Sequence, residues 1–210
     1  MVEPSPLEQL RSISASIEGI DVECYRRYGR DPHEPVLALG KSDARWCFFG
    51  RDPGEQEVRW QKPFVGDAGR KIRAVMADLA LSDEDIFWMN TVPFKPFGNK
   101  PWPMSVRRKC HAALRQLLGE WRGSEVVTFG EAAFKWFGLD GAEARRVVEQ
   151  FWLRDDKFDA SLETSLSVGG VERRFVLYPV PHPSGANAAW SAKFPDLLRG
   201  RLRGSHPVRH

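Results

Sequence analysis

The sequence predicts a three-layer α/β/α domain around a central, mainly parallel sheet of about four strands. Short apolar runs that end in turn residues are the first observation behind it: Trp46-Cys47-Phe48-Phe49 stops at Gly50, Ile86-Phe87-Trp88-Met89 at Asn90, Val126-Val127-Thr128-Phe129 at Gly130, and Phe175-Val176-Leu177-Tyr178 at Pro179. Runs without polar alternation fit strands covered on both faces, as in a parallel sheet. Amphipathic helical patterns between the runs are the second: Ile72, Val75, Met76 and Leu79, then Val106, Cys110, Ala113, Leu114, Leu117 and Leu118, then Ala132 to Phe137. Strand and helix in alternation specify a layered α/β fold. The third is size, because 210 residues with 42% hydrophobic and 28% charged side chains can bury a full core.

The elements justify themselves in order. Ser5-Pro6-Leu7-Glu8 reads as a helix start, with Ser5 as N-cap, Pro6 at the first helical position and Glu8 closing a capping box. Leu7, Leu10, Ile13 and Ile17 continue it as one stripe, giving an N-terminal helix over 5–19. Residues 21–44, punctuated by Gly29, Pro32, Pro35 and Gly40, read as a connecting segment with at most one short strand. Pro93, Pro96, Pro101, Pro103 and Gly98 make 91–105 a rigid loop too long for mere punctuation. Alternation around Gly169-Gly170 suggests a β-hairpin within 161–176, just before the last strand. From Gly200 the chain carries Arg201, Arg203, His206 and Arg209 without apolar periodicity. The expectation is a single domain over 1–203 and a disordered tail over 204–210.

Charge and cysteine content narrow the function. With 31 Lys+Arg and 28 Asp+Glu the net charge is +3, too small for a polybasic protein, so any nucleic-acid affinity must come from local placement of cations. No basic segment leads into an apolar run at the N-terminus, and no apolar stretch approaches the ~18 residues of a membrane span. The expectation is a soluble, cytoplasmic protein without a membrane partner. Cys24, Cys47 and Cys110 lie far apart with no metal-ligand spacing, which argues against a disulfide framework and against a structural metal.

In an open parallel sheet, ligands bind beyond the carboxyl ends of the strands. The residues just after each apolar run are Gly50-Arg51-Asp52-Pro53-Gly54, Asn90-Thr91-Val92-Pro93 and, past the last strand, Pro181-His182-Pro183-Ser184-Gly185-Ala186-Asn187. An Asp, an Asn and a His therefore converge on one rim. An Asp can orient a water, a neutral His can donate to a developing oxyanion, and an Asn can read an amide edge. Those roles fit hydrolysis of a bond whose leaving group is a heterocyclic amide. No G-x-S-x-G elbow supports acyl-enzyme chemistry.

The combination of Gly50 to Gly54, Pro63-Phe64-Val65-Gly66-Asp67-Ala68-Gly69 and His182-Pro183-Ser184 resembles the uracil-DNA glycosylase superfamily. Met89-Asn90-Thr91-Val92, Asn99-Lys100-Pro101 and Thr128-Phe129-Gly130-Glu131-Ala132-Ala133 agree with it, and the resemblance runs from about residue 46 to about 200. Pro-Phe-Val-Gly-x-Ala-Gly is most like the bacterial iron-sulfur branch. The resemblance implies that Asp52 is the water-activating carboxylate, that Phe64 stacks on an extruded base, that Asn90 reads the N3 and O4 edge of uracil, and that His182 bonds uracil O2. It places Gly50, Arg51 and Gly54 in the substrate pocket. Ser184, Gly185, Ala186 and Asn187 would enter the minor groove and hold open the gap left by the base, with Lys100 near phosphate.

Three departures qualify the resemblance. The iron-sulfur branch uses four cysteine ligands and this chain has three cysteines, so no cluster, metal or other cofactor is expected. Arg51 fills the place of that branch's Glu, and Asp52 follows it, as in the classical uracil-specific enzymes. Gly54 stands where those enzymes carry a thymine-excluding Tyr, leaving selectivity to a group such as Glu57 or Arg51.

The reading is a monofunctional glycosylase acting in base excision repair on uracil-containing DNA, releasing free uracil, and working as a monomer. Two alternatives stay open: a glycosylase for hypoxanthine, xanthine or mismatched thymine, and a protein that binds uracil or abasic DNA with little turnover. Arg107, Arg108, Lys109 and His111 form either a nucleic-acid patch or a solvated helix face.

Overall fold

The computed structural model describes residues 4–183 and 188–204. Helix α1 (Pro6–Ser14) opens with Ser5 as N-cap and the full capping box to Glu8. It ends about a turn before the predicted boundary of residue 19, yet Ile17 and Ile20 still reach the core from the turn that follows. A short helix α2 (Val22–Arg27) occupies the segment read as a connector, started by Asp21, whose side chain accepts the Cys24 N–H. Six residues are too few for a periodic stripe, which is why it was invisible to pattern.

The sheet strands are β1 (Trp46–Gly50), β2 (Ile86–Asn90), β3 (Glu125–Phe129), β4 (Leu162–Val168) and β5 (Val171–Val180), in the order β2-β1-β3-β5-β4. All neighbours are parallel except β4, which runs antiparallel to β5. The predicted hairpin supplies the additional strand: β5 is both its second arm and the predicted last strand. Gly169 and Gly170, with φ of +58° and +79°, form its turn, where both residues must enter the left-handed region.

Helices α3 (Glu55–Trp60), α4 (Asp67–Ala77), α5 (Met104–Glu120), α6 (Glu131–Lys135), α7 (Ala142–Trp152) and α8 (Ala188–Gly204) cover the sheet. Strand residues alternate between two cores. Cys47, Phe49, Phe87 and Met89 face the core built with α1, α2, α5, α6 and α7; Trp46, Phe48, Ile86 and Trp88 face the one built with α4 and α8. This alternation is the two-residue period of a strand, here apolar on both faces.

One further expectation shifts at its edge. Helix α8 carries the chain through Gly204, one residue past the boundary expected for the domain. Leu202 is buried, and the Arg201 guanidinium donates to the carbonyls of Lys157 and Ala160, anchoring the last turn. Residues 205–210 lie outside the described residues. The proline-rich loop is fixed from inside: Phe94 and Trp102 are buried, and Trp102 Nε1 donates to the Phe94 carbonyl at 2.9 Å. Lys95 is buried beneath it, its Nζ 2.6 Å from Asp21 Oδ2. That ion pair ties the loop to α2, and the loop in turn borders the site.

Candidate active site

The carboxyl ends of β1, β2 and β5 deliver the site. Gly50 and Asn90 are parallel partners at the last position of β1 and β2, so the residues that follow leave the sheet side by side. Thr91 locks the β1 exit, its N–H donating to the Gly50 carbonyl at 2.9 Å. A Cβ at Gly50 would lie 2.4 Å from the Phe64 ring and 2.7 Å from Asn90 Oδ1. Gly50 therefore acts by absence: only a residue without a side chain lets the ring and the amide approach each other.

Arg51, Asp52, Gly54, Phe64, Asn90 and His182 line one cavity of about 440 Å³. Six of the residues singled out from sequence thus meet in one place, with Gly50 beneath them. Lys100 is exposed on the proline-rich loop, between Asn99, which lines this cavity, and Pro101, which lines the next. Ser184, Gly185, Ala186 and Asn187 lie outside the described residues.

Asp52 is the most constrained group. Its side chain is 1% exposed; Oδ2 accepts Arg51 Nε at 2.6 Å, while Oδ1 is buried without a partner among the described residues. Burial raises its pKa to about 6 against the opposing charges and hydrogen bond of Arg51 and the charge of Arg107. Such a carboxylate is charged at neutral pH and close enough to its pKa to exchange a proton. Arg51 also donates to the Asn99 carbonyl at 3.2 Å, so the proline-rich loop aims the guanidinium.

His182 follows β5 and is pushed down to about 4, first by burial and then by the charges of Arg51 and Lys71. It is a neutral imidazole at physiological pH, able to donate one N–H. Lys71 Nζ on α4 donates to the Pro183 carbonyl at 2.9 Å and holds the turn beside it. Asn90 is buried, and its side-chain amide makes no hydrogen bond among the described residues, so both donor and acceptor are available to a ligand.

Phe64 sits in the left-handed region with φ of +55°, a conformation that costs a bulky residue about 1–3 kcal/mol. Its surroundings enforce it. Arg73 Nη1 donates to the Phe64 carbonyl, and the ring lies 5.1 Å from Trp88 and 5.7 Å from Phe129, centroid to centroid. The strained turn delivers an aromatic ring to a fixed place in the wall of the cavity.

Glu57 corrects one expectation. The sequence left it as a possible selectivity group, but both its oxygens are taken by backbone: Oε2 by the Gly54 N–H at 2.9 Å and Oε1 by the Gly66 N–H at 2.6 Å. Buried and fully engaged, it clamps the β1 exit to the Phe64 turn. The signal for it was present, since Glu57 is the third residue of α3, where a carboxylate reaches back to the helix start. A side chain at Gly54 would have its Cβ 2.8 Å from that carboxylate, so the clamp and a bulky residue at 54 exclude one another as built.

The basic cluster on α5 divides. His111 is buried, with its ring 4.5 Å from that of Trp136, and Lys109 donates to the Ser16 carbonyl. Arg107 lines a cavity adjoining the site. Of the cysteines, Cys24, Cys47 and Cys110 are all free and buried, Cys47 inside β1, and no group of three or more His, Cys, Asp or Glu among the described residues could hold a metal ion. The residues present do not fit an iron–sulfur cluster.

Fold and site together define an α/β domain with a ligand pocket at the carboxyl edge of its parallel strands. The chain belongs to the uracil DNA glycosylase superfamily, whose family model matches residues 37–203. Its curated relatives include proteins named Type-4 uracil-DNA glycosylase. That of Archaeoglobus fulgidus is 32% identical over 117 residues, covering 53% of this chain and 58% of the relative. That of Saccharolobus solfataricus is 35% identical over 96 residues, covering 45% and 44%. In Thermotoga maritima the match is 28% over 106 residues, covering 50% and 55%. The chain spans about half the length of the curated relatives it matches.

Proposed function

We propose that the protein is a monofunctional DNA glycosylase that extrudes uracil from DNA and hydrolyses its N-glycosidic bond, leaving an abasic site for base excision repair. The observation that carries this reading is the shared cavity of a half-satisfied carboxylate, a neutral imidazole, an unengaged amide and an aromatic ring. The names of the relatives point the same way.

A base cannot be reached within the duplex, and extruding it costs a few kcal/mol. Stacking on Phe64 returns roughly 1–3 kcal/mol of that. Asn90 reads the imide edge of the ring. As the bond from N1 to C1′ breaks, its electron pair passes to the uracil ring, and His182 donates to O2, where negative charge collects. Asp52 stabilises the cationic sugar and takes up the proton of the water that adds to C1′. Oδ2 is occupied by Arg51, so Oδ1 is the atom that meets the water. Asp52 then gives its proton up to solvent and the uracil anion takes one from solvent; with no amine placed beside C1′ in this scheme, the product is an abasic site and free uracil, without strand cleavage by a lyase step.

The protein is proposed to act as a cytoplasmic monomer; no helix among the described residues is long and apolar enough to cross a membrane. The test is strand scission by alkali on a labelled oligonucleotide with a single uracil, using wild type, Asp52→Asn and His182→Ala. Abasic sites formed by wild type, reduced about 10²- to 10⁴-fold in each variant, are the expected result. Binding without cleavage by wild type would identify a damage-binding protein. Cleavage only of hypoxanthine, xanthine or mismatched thymine in a parallel panel would move the substrate while keeping the chemistry.

A further inference from the structure

A second cavity, of about 490 Å³, adjoins the first and shares Arg51 and His182 with it. Arg107 on α5 and Lys135 on α6 contribute its other cations. Lys135 is already balanced, its Nζ 2.5 Å from Glu131 Oε1, a carboxylate that also lines the cavity. Arg107 is not balanced.

Seven arginines are partly buried among the described residues, and six of them have their guanidinium engaged. Arg51, Arg73, Arg115 and Arg199 pair with carboxylates, while Arg173 and Arg201 donate to clusters of carbonyls. Arg107 has neither: its Nε is buried without a partner, and its guanidinium makes no ion pair or hydrogen bond among the described residues. Taking a guanidinium partly out of water without a counter-charge is costly, and an anion entering the cavity would offset that cost. Burial lowers its pKa; Asp52 and Glu131 attract its charge and Arg51 repels it, and neither carboxylate forms an ion pair with it.

We infer that the second cavity is a phosphodiester subsite, in which Arg107 receives the backbone phosphate of the nucleotide next to the extruded one. This rests on the glycosylase reading for which phosphate it is, but not for whether an anion binds there. The shared walls decide the register: a strand whose sugar lies against Asp52 and His182 continues past Arg51 and His182 into the neighbouring cavity. A guanidinium fork suits the paired oxygens of a phosphate. The contact carries no sequence information, so its loss weakens all DNA alike.

The experiment compares wild type, Arg107→Gln and Arg107→Lys. Affinity for an undamaged oligonucleotide, single- and double-stranded, is measured against salt; then kcat/KM is measured on uracil duplexes carrying one neutral methylphosphonate, scanned through the phosphates flanking the uracil. The expected result is that Arg107→Gln lowers the slope of log Kobs against log salt by about 0.7–0.9 and weakens binding about tenfold or somewhat less at 0.1 M salt. Arg107→Lys is expected to keep the slope. One methylphosphonate position should penalise wild type and leave Arg107→Gln unaffected. An unchanged slope with every methylphosphonate penalty retained overturns the inference. So does a shifted pH–rate profile at unchanged slope, because Arg107 would then act only through Asp52. Failure of wild type to release uracil, with the slope difference intact, sinks the glycosylase reading and leaves the phosphate site standing.

Discussion

Two aspartates whose side chains are largely out of solvent, each 2.6 Å from a cationic nitrogen, behave oppositely. Asp21, whose side chain is 14% exposed, pairs with Lys95 beneath the proline-rich loop; Asp52, at 1%, pairs with Arg51 in the cavity. Burial pushes both carboxyls up. At Asp21 it is outweighed by the Lys95 hydrogen bond, the Cys24 N–H and the charges of Lys95 and Arg27, and the pKa ends below the ordinary value. At Asp52 burial wins and the pKa ends at about 6. Two things differ, the depth of burial and the second oxygen: Asp21 Oδ1 accepts the Cys24 N–H at 3.1 Å, whereas Asp52 Oδ1 accepts nothing among the described residues. A carboxylate that only supports the fold is satisfied at both oxygens; one poised to react is left with an oxygen to spare.

Exchanging each aspartate for asparagine breaks this comparison most sharply. Asp52→Asn is expected to lower kcat by about 10²- to 10⁴-fold, the usual contribution of a positioned acid–base group, with folding intact. Asp21→Asn is expected to leave kcat of the folded protein within a few-fold of wild type but to cost about 3–5 kcal/mol of stability, since it strips Lys95, 6% exposed, of its counter-ion. Chemical denaturation alongside single-turnover kinetics separates the two. A large kcat loss in Asp21→Asn at full folding would show that the loop pair belongs to the chemistry.

Stability against pH sharpens it further. The folded pKa of Asp52 lies above that of the unfolded chain, so its ionisation costs nothing below about 3.8, costs progressively more up to about 6, and costs about 3 kcal/mol above that. Asp52→Asn is therefore expected to be more stable than wild type by up to that amount at pH 7 and equal to it near pH 4. His182 and His111, both held down to about 4, act in the other sense: their contribution is complete above about 6.5 and is lost as pH falls toward 4. Between pH 6 and 4 wild type partly offsets that loss by protonating Asp52, and the variant does not. Its stability should fall more steeply on acidification; denaturant midpoints at pH 7, 5.5 and 4 that run parallel in the two proteins would refute this.

How much of this was legible in the sequence follows from the same contrast. Asp52, Asn90 and His182 could be found because a parallel sheet sends every strand end to one edge, so residues after Phe49, Met89 and Val180 had to meet whatever the loops did. Phe64 needed the family motif, because nothing local requires an aromatic residue at φ of +55°. Glu57 was legible by half, in its reach back to the start of α3; its second partner Gly66, like the roles of Lys95 and Arg107, could not be read, since each depends on a partner or the lack of one set by the tertiary fold. Helix α2 and the last turn of α8 escaped for a different reason. Six residues, and a final turn rich in Arg and Gly, carry too little apolar periodicity to announce a helix, and burial of Cys24, Tyr25 and Leu202 is supplied by the rest of the fold.

Arg51 offers the smallest but most diagnostic effect. Its charge and hydrogen bond are the principal forces holding Asp52 down against burial, and its charge also helps keep His182 neutral. Arg51→Ala should therefore move the acid limb of the kcat profile to higher pH than in wild type, because more hydroxide is needed to ionise an Asp52 that has lost its cation. The loss of rate should be severalfold at pH 6 and should shrink toward pH 8, where Asp52 is ionised in both proteins. His182 rises in the same variant, but burial, its larger cause, remains, so protonation of the imidazole should not set the limb. Arg51→Lys keeps a charge in place and should fall between the two. If the limb stays where wild type has it while kcat drops uniformly across pH, Arg51 serves only to orient the carboxylate; if neither changes, the ion pair has no part in the reaction and Asp52 is not the group that titrates.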